Sequence, residues 1–208
     1  MTNVKLISHS SGIDDMSIKD LVIYCARVSN PESQEAGENI DRLWNYLKRN
    51  KHWSPFEMAN VCIEINTTRA ISRQIIRHRS FTFQEFSQRY ADPTQLGFTF
   101  QECRLQDETN RQSSLETEDQ ELKRMWVRSQ SRVRDVCLGE YIKAINYGVA
   151  KEQARGLLPE GMTNSRLYMN GTLRSWFHFC EVRQDLTTQK EHRIIAGQCE
   201  DIIKGLIE

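Results

Sequence analysis

Apolar positions recur along most of the chain, and their period changes several times. Val4 to His9 reads as a first strand. Ser17-Ile18-Lys19-Asp20 has the Ser-x-x-Asp form of a helix start, and Leu21, Val22, Tyr24 and Cys25 continue at helical spacing. A second helix is predicted over Glu35 to Arg49, with Ile40, Leu43, Trp44 and Leu47 on one face. A turn at 52–57 leads into Val61-Cys62-Ile63-Glu64-Ile65, whose alternation predicts a half-buried strand. Thr68 to His78 is expected to be helical, and Phe81 to Tyr90, with no clean period, a functional loop. Residues 96–117 are polar and Gln-rich, and read as a long mobile excursion or a short ribbon.

The second half is mostly helical. A long pattern runs from Glu118 to Ala150 with Leu122, Met125, Trp126, Val133, Val136 and Cys137 as its stripe, and Gly139 as a candidate break. Gly156 and Pro159 close the region. Asn164 to Asn170 is a candidate strand, Asn170-Gly171 a turn signal, and Thr172 a cap for a helix through about Val182. A last helix carries Ile194, Ile195, Cys199, Ile202, Ile203 and Leu206. The expectation is one α+β domain over residues 1–208, helix-rich, with a small and mainly antiparallel sheet.

Composition narrows the function. Lys plus Arg is 28 and Asp plus Glu is 28 in 208 residues, so the net charge is zero. A protein that grips a nucleic-acid backbone broadly needs a positive excess. No apolar run approaches the ~20 residues that span a bilayer, and the N-terminus lacks a signal-peptide layout. No membrane partner is expected. Six cysteines (Cys25, Cys62, Cys103, Cys137, Cys180 and Cys199) form no CxxC pair. They read as buried thiols in a reducing, cytoplasmic compartment. The chain has no GxGxxG, no GxxxxGK[ST] and no HExxH, and its five histidines are dispersed, so no metal site is indicated.

Chemistry concentrates in residues 69–89. Arg69, Arg73, Arg77, Arg79 and Arg89 occur there with no lysine and one acid, Glu85. Guanidinium pairs bidentately with phosphate. Arg73 and Arg77, four residues apart, would share a helix face and repel unless an anion lay between them. Ser87 and Arg89 add a hydroxyl and a further guanidinium. The pattern suits a pocket for a phosphorylated small molecule. A solvated basic face is the bland alternative, and an RNA-binding surface using Phe81, Phe83 and Phe86 is a third reading. A second constellation holds Arg155, Arg174, His178 and Arg183. Arg174 and His178 share one helix face opposite Trp176, Phe177 and Cys180.

The stretch Arg77-His78-Arg79-Ser80-Phe81-Thr82-Phe83-Gln84-Glu85-Phe86-Ser87-Gln88-Arg89 resembles RHRxxSxxExSxR, the signature of the flavin-dependent thymidylate synthases, with six of its seven fixed positions matching. Thr82 replaces the first serine and keeps its hydroxyl. Ala26-Arg27-Val28-Ser29, His52-x-Ser54-Pro55-Phe56-Glu57, Ala154-Arg155-x-x-Leu158-Pro159 and Gln189-x-Glu191-x-Arg193 are similar to further pieces of that family. The resemblance implies synthesis of dTMP from dUMP. Methylenetetrahydrofolate would give the carbon, FAD the hydride, and NADPH would reduce the flavin. It also implies a homotetramer whose sites are shared between subunits.

By the same resemblance, FAD would be held by Arg77, His78, Arg79, Ser54, Glu85 and Ser29, completed by Thr172, Leu173, Arg174 and His178 from another subunit. The dUMP would lie among Gln74, Arg77, Glu85, Phe86, Ser87, Gln88 and Arg89, with Arg155 from a neighbouring chain and Arg183 facing the uracil ring. His52 would lie beside the flavin ring, near the folate and NADPH approach. A cation beside the uracil favours an electron-rich ring at no proton cost.

Overall fold

The computed structural model describes residues 3–35 and 38–208. Four strands form an antiparallel sheet in the order β1 (Asn3–His9), β2 (Asn60–Thr68), β6 (Asn164–Thr172), β3 (Thr82–Glu85). The alternation is as clean as expected on β2 and β6. Val61, Ile63, Ile65, Leu167 and Met169 point to one face and are fully buried. The opposite face carries the row Lys5, Glu64, Tyr168 and Gln84, one residue from each strand. The architecture is α+β, helix-rich, with a small antiparallel sheet.

Helices cover the apolar face. α1 (Ile18–Ala26) starts where Ser17 Oγ accepts from the Asp20 N–H. α2 spans Pro31–Glu35. The helix expected from residue 35 crosses residues 36 and 37, which lie outside the described residues; its remainder is α3 (Ile40–Arg49), which buries Trp44 and Leu47. α4 (Arg69–Ile75) follows β2 without a loop. α7 (Leu173–Arg183) is capped by Thr172, whose hydroxyl accepts from the Ser175 N–H, and α8 (Lys190–Ile207) ends the chain. One core joins Ile18, Val22, Phe56, Ile63, Met169, Trp176, Phe179, Ile195 and Cys199. Trp176 is fully buried and donates its indole N–H to the Val61 carbonyl at 3.0 Å, so the largest fully buried side chain leaves no polar atom unpaired. Burial of such a side chain contributes about 1.5–3 kcal/mol.

Four expectations need correction. Asn170-Gly171 is not a turn: β6 runs through it to Thr172. Gly171 is required there because the Phe81 ring lies on it; a Cβ would come within 2.4 Å of Phe81 Cδ1. The 81–90 segment is not all loop, since Thr82–Glu85 pairs with β6 as an edge strand. α4 ends at Ile75, so Arg77 lies beyond it and does not share a helix face with Arg73. The stripe chosen on α5 (Gln120–Asn146) is mostly exposed, at Met125, Trp126, Val133 and Val136; the face turned inward holds Gln130 and Tyr141, and Gly139 causes no break.

The polar excursion is the short ribbon β4 (Arg104–Gln106) with β5 (Ser114–Glu116). It is tethered at several points. The Gln101 N–H and C=O pair with the Gln130 amide at 2.7 and 3.0 Å, and Trp126 Nε1 donates to the same carbonyl. Lys190 bridges Glu102 and Glu116, and Arg104 binds Glu191 at 2.6 Å. Finally, α6 (Lys151–Ala154) lies between α5 and β6 in the chain.

Candidate active site

The signature turn is placed by its aromatic residue. Phe81 is nearly buried, with its ring 4.8 Å from Trp176 and 6.0 Å from Phe179, both edge-on. This anchor leaves Arg77 and Arg79 in solvent and His78 half-buried. α7 then delivers Arg183 at its last residue, and Arg183 Nε donates to His78 Nε2 at 2.5 Å. His78 Nε2 must therefore carry a lone pair, with the proton on Nδ1. Burial, with help from Arg183 and His178, lowers the His78 pKa to about 4, so the ring is neutral at pH 7. Burial and the nearby Arg77 charge also lower the Arg183 pKa. A guanidinium still stays charged.

The five arginines of 69–89 divide into two groups. Arg69 is buried between Glu85 (3.6 Å) and Glu160 (3.7 Å), and Arg73 also reaches Glu160. Arg89 pairs with Glu152 at 3.5 Å. Among the described residues, neither Arg77 nor Arg79 makes a salt bridge. Both thus remain available to an external anion.

Two clefts meet this region. The larger, about 790 Å³, is lined by Lys48, Lys51, Trp53, Glu57, Ser80, Thr172, Arg174, Ser175, His178 and Glu181. Of the expected flavin residues it holds Thr172, Arg174 and His178. Arg174 is ion-paired with Glu57. The smaller, about 470 Å³, is lined by Gln84, Glu85, Phe86, Ser87, Tyr90, Ala91, Arg166 and Tyr168. It holds the expected dUMP residues Glu85, Phe86 and Ser87.

Residues 6–207 match the family described as thymidylate synthase complementing protein. The chain belongs to that family. It is 41% identical over 202 residues to a probable flavin-dependent thymidylate synthase of Paramecium bursaria Chlorella virus 1, covering 96% of this chain and 93% of that one. It is 46% identical over 183 residues to a flavin-dependent thymidylate synthase of Synechocystis sp., covering 88% and 83%. A UMP/dUMP methylase, PolB, from Streptomyces cacaoi, solved with 5-Br dUMP bound, superposes with a TM-score of 0.81 at 27% identity, covering 99% of this chain and 91% of that one.

Other expected site residues of this family member lie as follows. Arg89 and Arg155 both reach Glu152, Arg89 its carboxylate and Arg155 Nε its backbone carbonyl at 3.2 Å. Gln74 is half-buried and donates to Gln189 Oε1. Gln88 is buried, and its Nε2 has no partner among the described residues. Glu85 Oε1 accepts from Ser72 (2.7 Å) and Ser165 (2.8 Å), so this oxygen ties β3 to α4 and β6. Leu173 is fully buried and its N–H donates to the Ala59 carbonyl; its side chain packs the core. His52 stacks edge-on against Tyr46 at 5.6 Å and, like Ser54 and Ser29, is exposed and lines neither cleft.

Several residues here escaped the sequence reading. Lys48 and Lys51 sit at the end of α3, where cations are common for dipole reasons alone. Arg166 and Tyr168 lie on β6, where the strand pattern carries no chemical signal of its own. His192 is buried with its pKa lowered to about 3, by burial first and then by Arg183 and His78. Nothing in its local spacing distinguished it. Only two cysteines, Cys180 and Cys199, are buried; the other four are half-buried, and all six are unpaired. No helix among the described residues is long and apolar enough to cross a membrane.

Proposed function

We propose that the chain is a flavin-dependent thymidylate synthase acting as one catalytic unit over residues 1–208. It converts dUMP to dTMP, with methylenetetrahydrofolate as carbon donor, FAD as bound cofactor and NADPH as reductant. The observation that carries this reading is the Arg183–His78 contact, with Arg77 and Arg79 left unpaired around it.

The larger cleft fits a dinucleotide cofactor. Lys48, Lys51 and Arg174 supply charge for a pyrophosphate, Ser80, Thr172 and Ser175 supply hydroxyls, and Trp53 supplies an apolar wall. FAD bound there supplies hydride chemistry that no side chain can. The protein's part is electrostatic and geometric. Because Arg183 Nε is spent on His78, its terminal nitrogens carry the positive charge toward the uracil. They stabilise negative charge on the ring without moving a proton. His78, neutral and protonated on Nδ1, fixes that guanidinium in place. Ser87, Arg89 and Arg155 hold the phosphate, and the unpartnered Gln88 amide supports a polar ligand in this loop.

The thiols support a mechanism without a cysteine nucleophile. Burial pushes Cys180 up to about 12, Cys199 well above its usual value, and Cys62 upward. Such thiols are poor nucleophiles. Unpaired cysteines also support a cytoplasmic setting. The exposed Met125, Val133 and Val136 on α5 support packing against further copies as a homotetramer. The reading is tested by titrating dUMP into protein loaded with FAD. The flavin absorbance should shift with saturation, and the shift should vanish in Arg183→Ala while FAD remains bound. A flavin spectrum indifferent to dUMP in the unaltered protein contradicts the reading.

A further inference from the structure

Gln74 lies in an unbroken polar chain that begins outside the site. Arg104 Nη2, on the β4 ribbon, donates to Glu191 Oε1 at 2.6 Å. Glu191 Oε2 accepts from Gln189 Nε2 at 2.9 Å. Gln189 Oε1 accepts from Gln74 Nε2 at 2.7 Å. Gln74 Oε1 faces His192 Nδ1 at 3.4 Å. Each primary amide has a donor end and an acceptor end that are nearly equal in shape, so local packing alone does not choose between them. The carboxylate chooses. Glu191 only accepts, and Arg104 only donates. Gln189 must therefore turn its nitrogen to Glu191 and its oxygen to Gln74, and Gln74 must turn its oxygen to His192.

The far end agrees with this polarity. His192 is 1% exposed and its Nε2 has no partner among the described residues. With its pKa held to about 3 by burial, the ring is neutral and carries one proton. A proton on Nδ1 serves Gln74 and leaves Nε2 as a bare acceptor. A proton on Nε2 would orphan a buried N–H, a rarer situation, and would set two lone pairs against each other at Gln74.

We propose that Glu191, oriented by Arg104, sets which way the Gln74 amide faces, and that Arg104, Gln189, Glu191 and His192 are positioning residues for it. The ribbon thereby bears on substrate affinity without touching substrate. This rests on the reading that Gln74 contacts dUMP.

The test is the near-isosteric Glu191→Gln, which lets the chain reverse. Its amide oxygen keeps Arg104 and its NH2 faces Gln189, so both glutamines flip and His192 moves its proton to Nε2. In folded protein, 15N NMR of the imidazoles should report Nδ1–H for His192 in the unaltered enzyme and Nε2–H in the variant. The Kd for dUMP should rise about tenfold, the loss of one net hydrogen bond. In a Gln74→Ala background, Glu191→Gln should add nothing further. An unchanged tautomer overturns the proposal. So does unchanged dUMP binding in Glu191→Gln when Gln74→Ala alone weakens it. If Gln74→Ala binds dUMP normally, the substrate role of Gln74 fails, and the tautomer still decides the chain. Should Glu191→Gln not fold, Nε2–H in the unaltered protein refutes the polarity and Nδ1–H upholds it.

Discussion

Substituting Gly171 by alanine sets one methyl group against the ring that positions the signature turn. The new Cβ would lie 2.4, 2.7 and 3.2 Å from Phe81 Cδ1, Cε1 and Cγ. Carbon atoms pack at about 3.5–4.0 Å, so the ring must retreat by about 1 Å. Trp176 and Phe179 hem it in edge-on. Overpacking of this kind costs about 1–3 kcal/mol, and the Gly→Ala backbone gain offsets about 0.5–1 kcal/mol. The net expectation is a loss of about 1–2 kcal/mol by urea denaturation. The retreat also strains the turn, because the Phe81 N–H donates to the His78 carbonyl. Flavin affinity should therefore fall with stability. Phe81→Leu should recover part of the loss, with a coupling of about 1 kcal/mol in the double-mutant cycle. A Gly171→Ala protein within about 0.5 kcal/mol of the unaltered one, with flavin affinity intact, would refute the close-approach argument.

Further outcomes follow from the same geometry. Glu85→Ala strands Ser72, Ser165 and one side of buried Arg69, and should cost about 3 kcal/mol, whereas Glu85→Gln keeps an acceptor and should cost less. Acid should destabilise the fold before ordinary carboxylates titrate. His78 and His192 refuse protons until pH falls to about 4 and about 3, while the unfolded chain takes them near 6.5. Each then removes up to about 1.4 kcal/mol per pH unit as pH drops through that window. Urea midpoints at pH 7 and pH 5 check this; a flat profile contradicts it. In Arg183→Ala, NMR titration should find the His78 pKa raised, since a neighbouring cation is gone.

The strands and helix starts were legible because their signals are local. Ser17 and Thr172 cap helices as their side chains predict, and β2 alternates as an exposed-face strand should. The misreadings arise from contacts distant in sequence. Gly171 has the local look of a turn, and only Phe81, ninety residues earlier in the chain, explains it. Hydrophobicity alone selects the wrong face of α5: its inward face meets the polar backbone of Gln101, which Gln130 serves better than valine would, and packs Tyr141 with Ala154 and Leu158. The signature turn was readable as a motif. Its division into arginines held by glutamates and arginines left open was not, because Glu152 and Glu160 arrive from the other half of the chain. His192 gave no signal at all; its neighbours come from α4 and α7.

Product formation is the most direct measurement. Purified protein reconstituted with FAD, then given NADPH, methylenetetrahydrofolate and dUMP, should make dTMP, and should make none when FAD is omitted or when Arg183 is alanine. Synthesis of dTMP that persists without flavin, or that survives Arg183→Ala at the unaltered rate, would contradict the account.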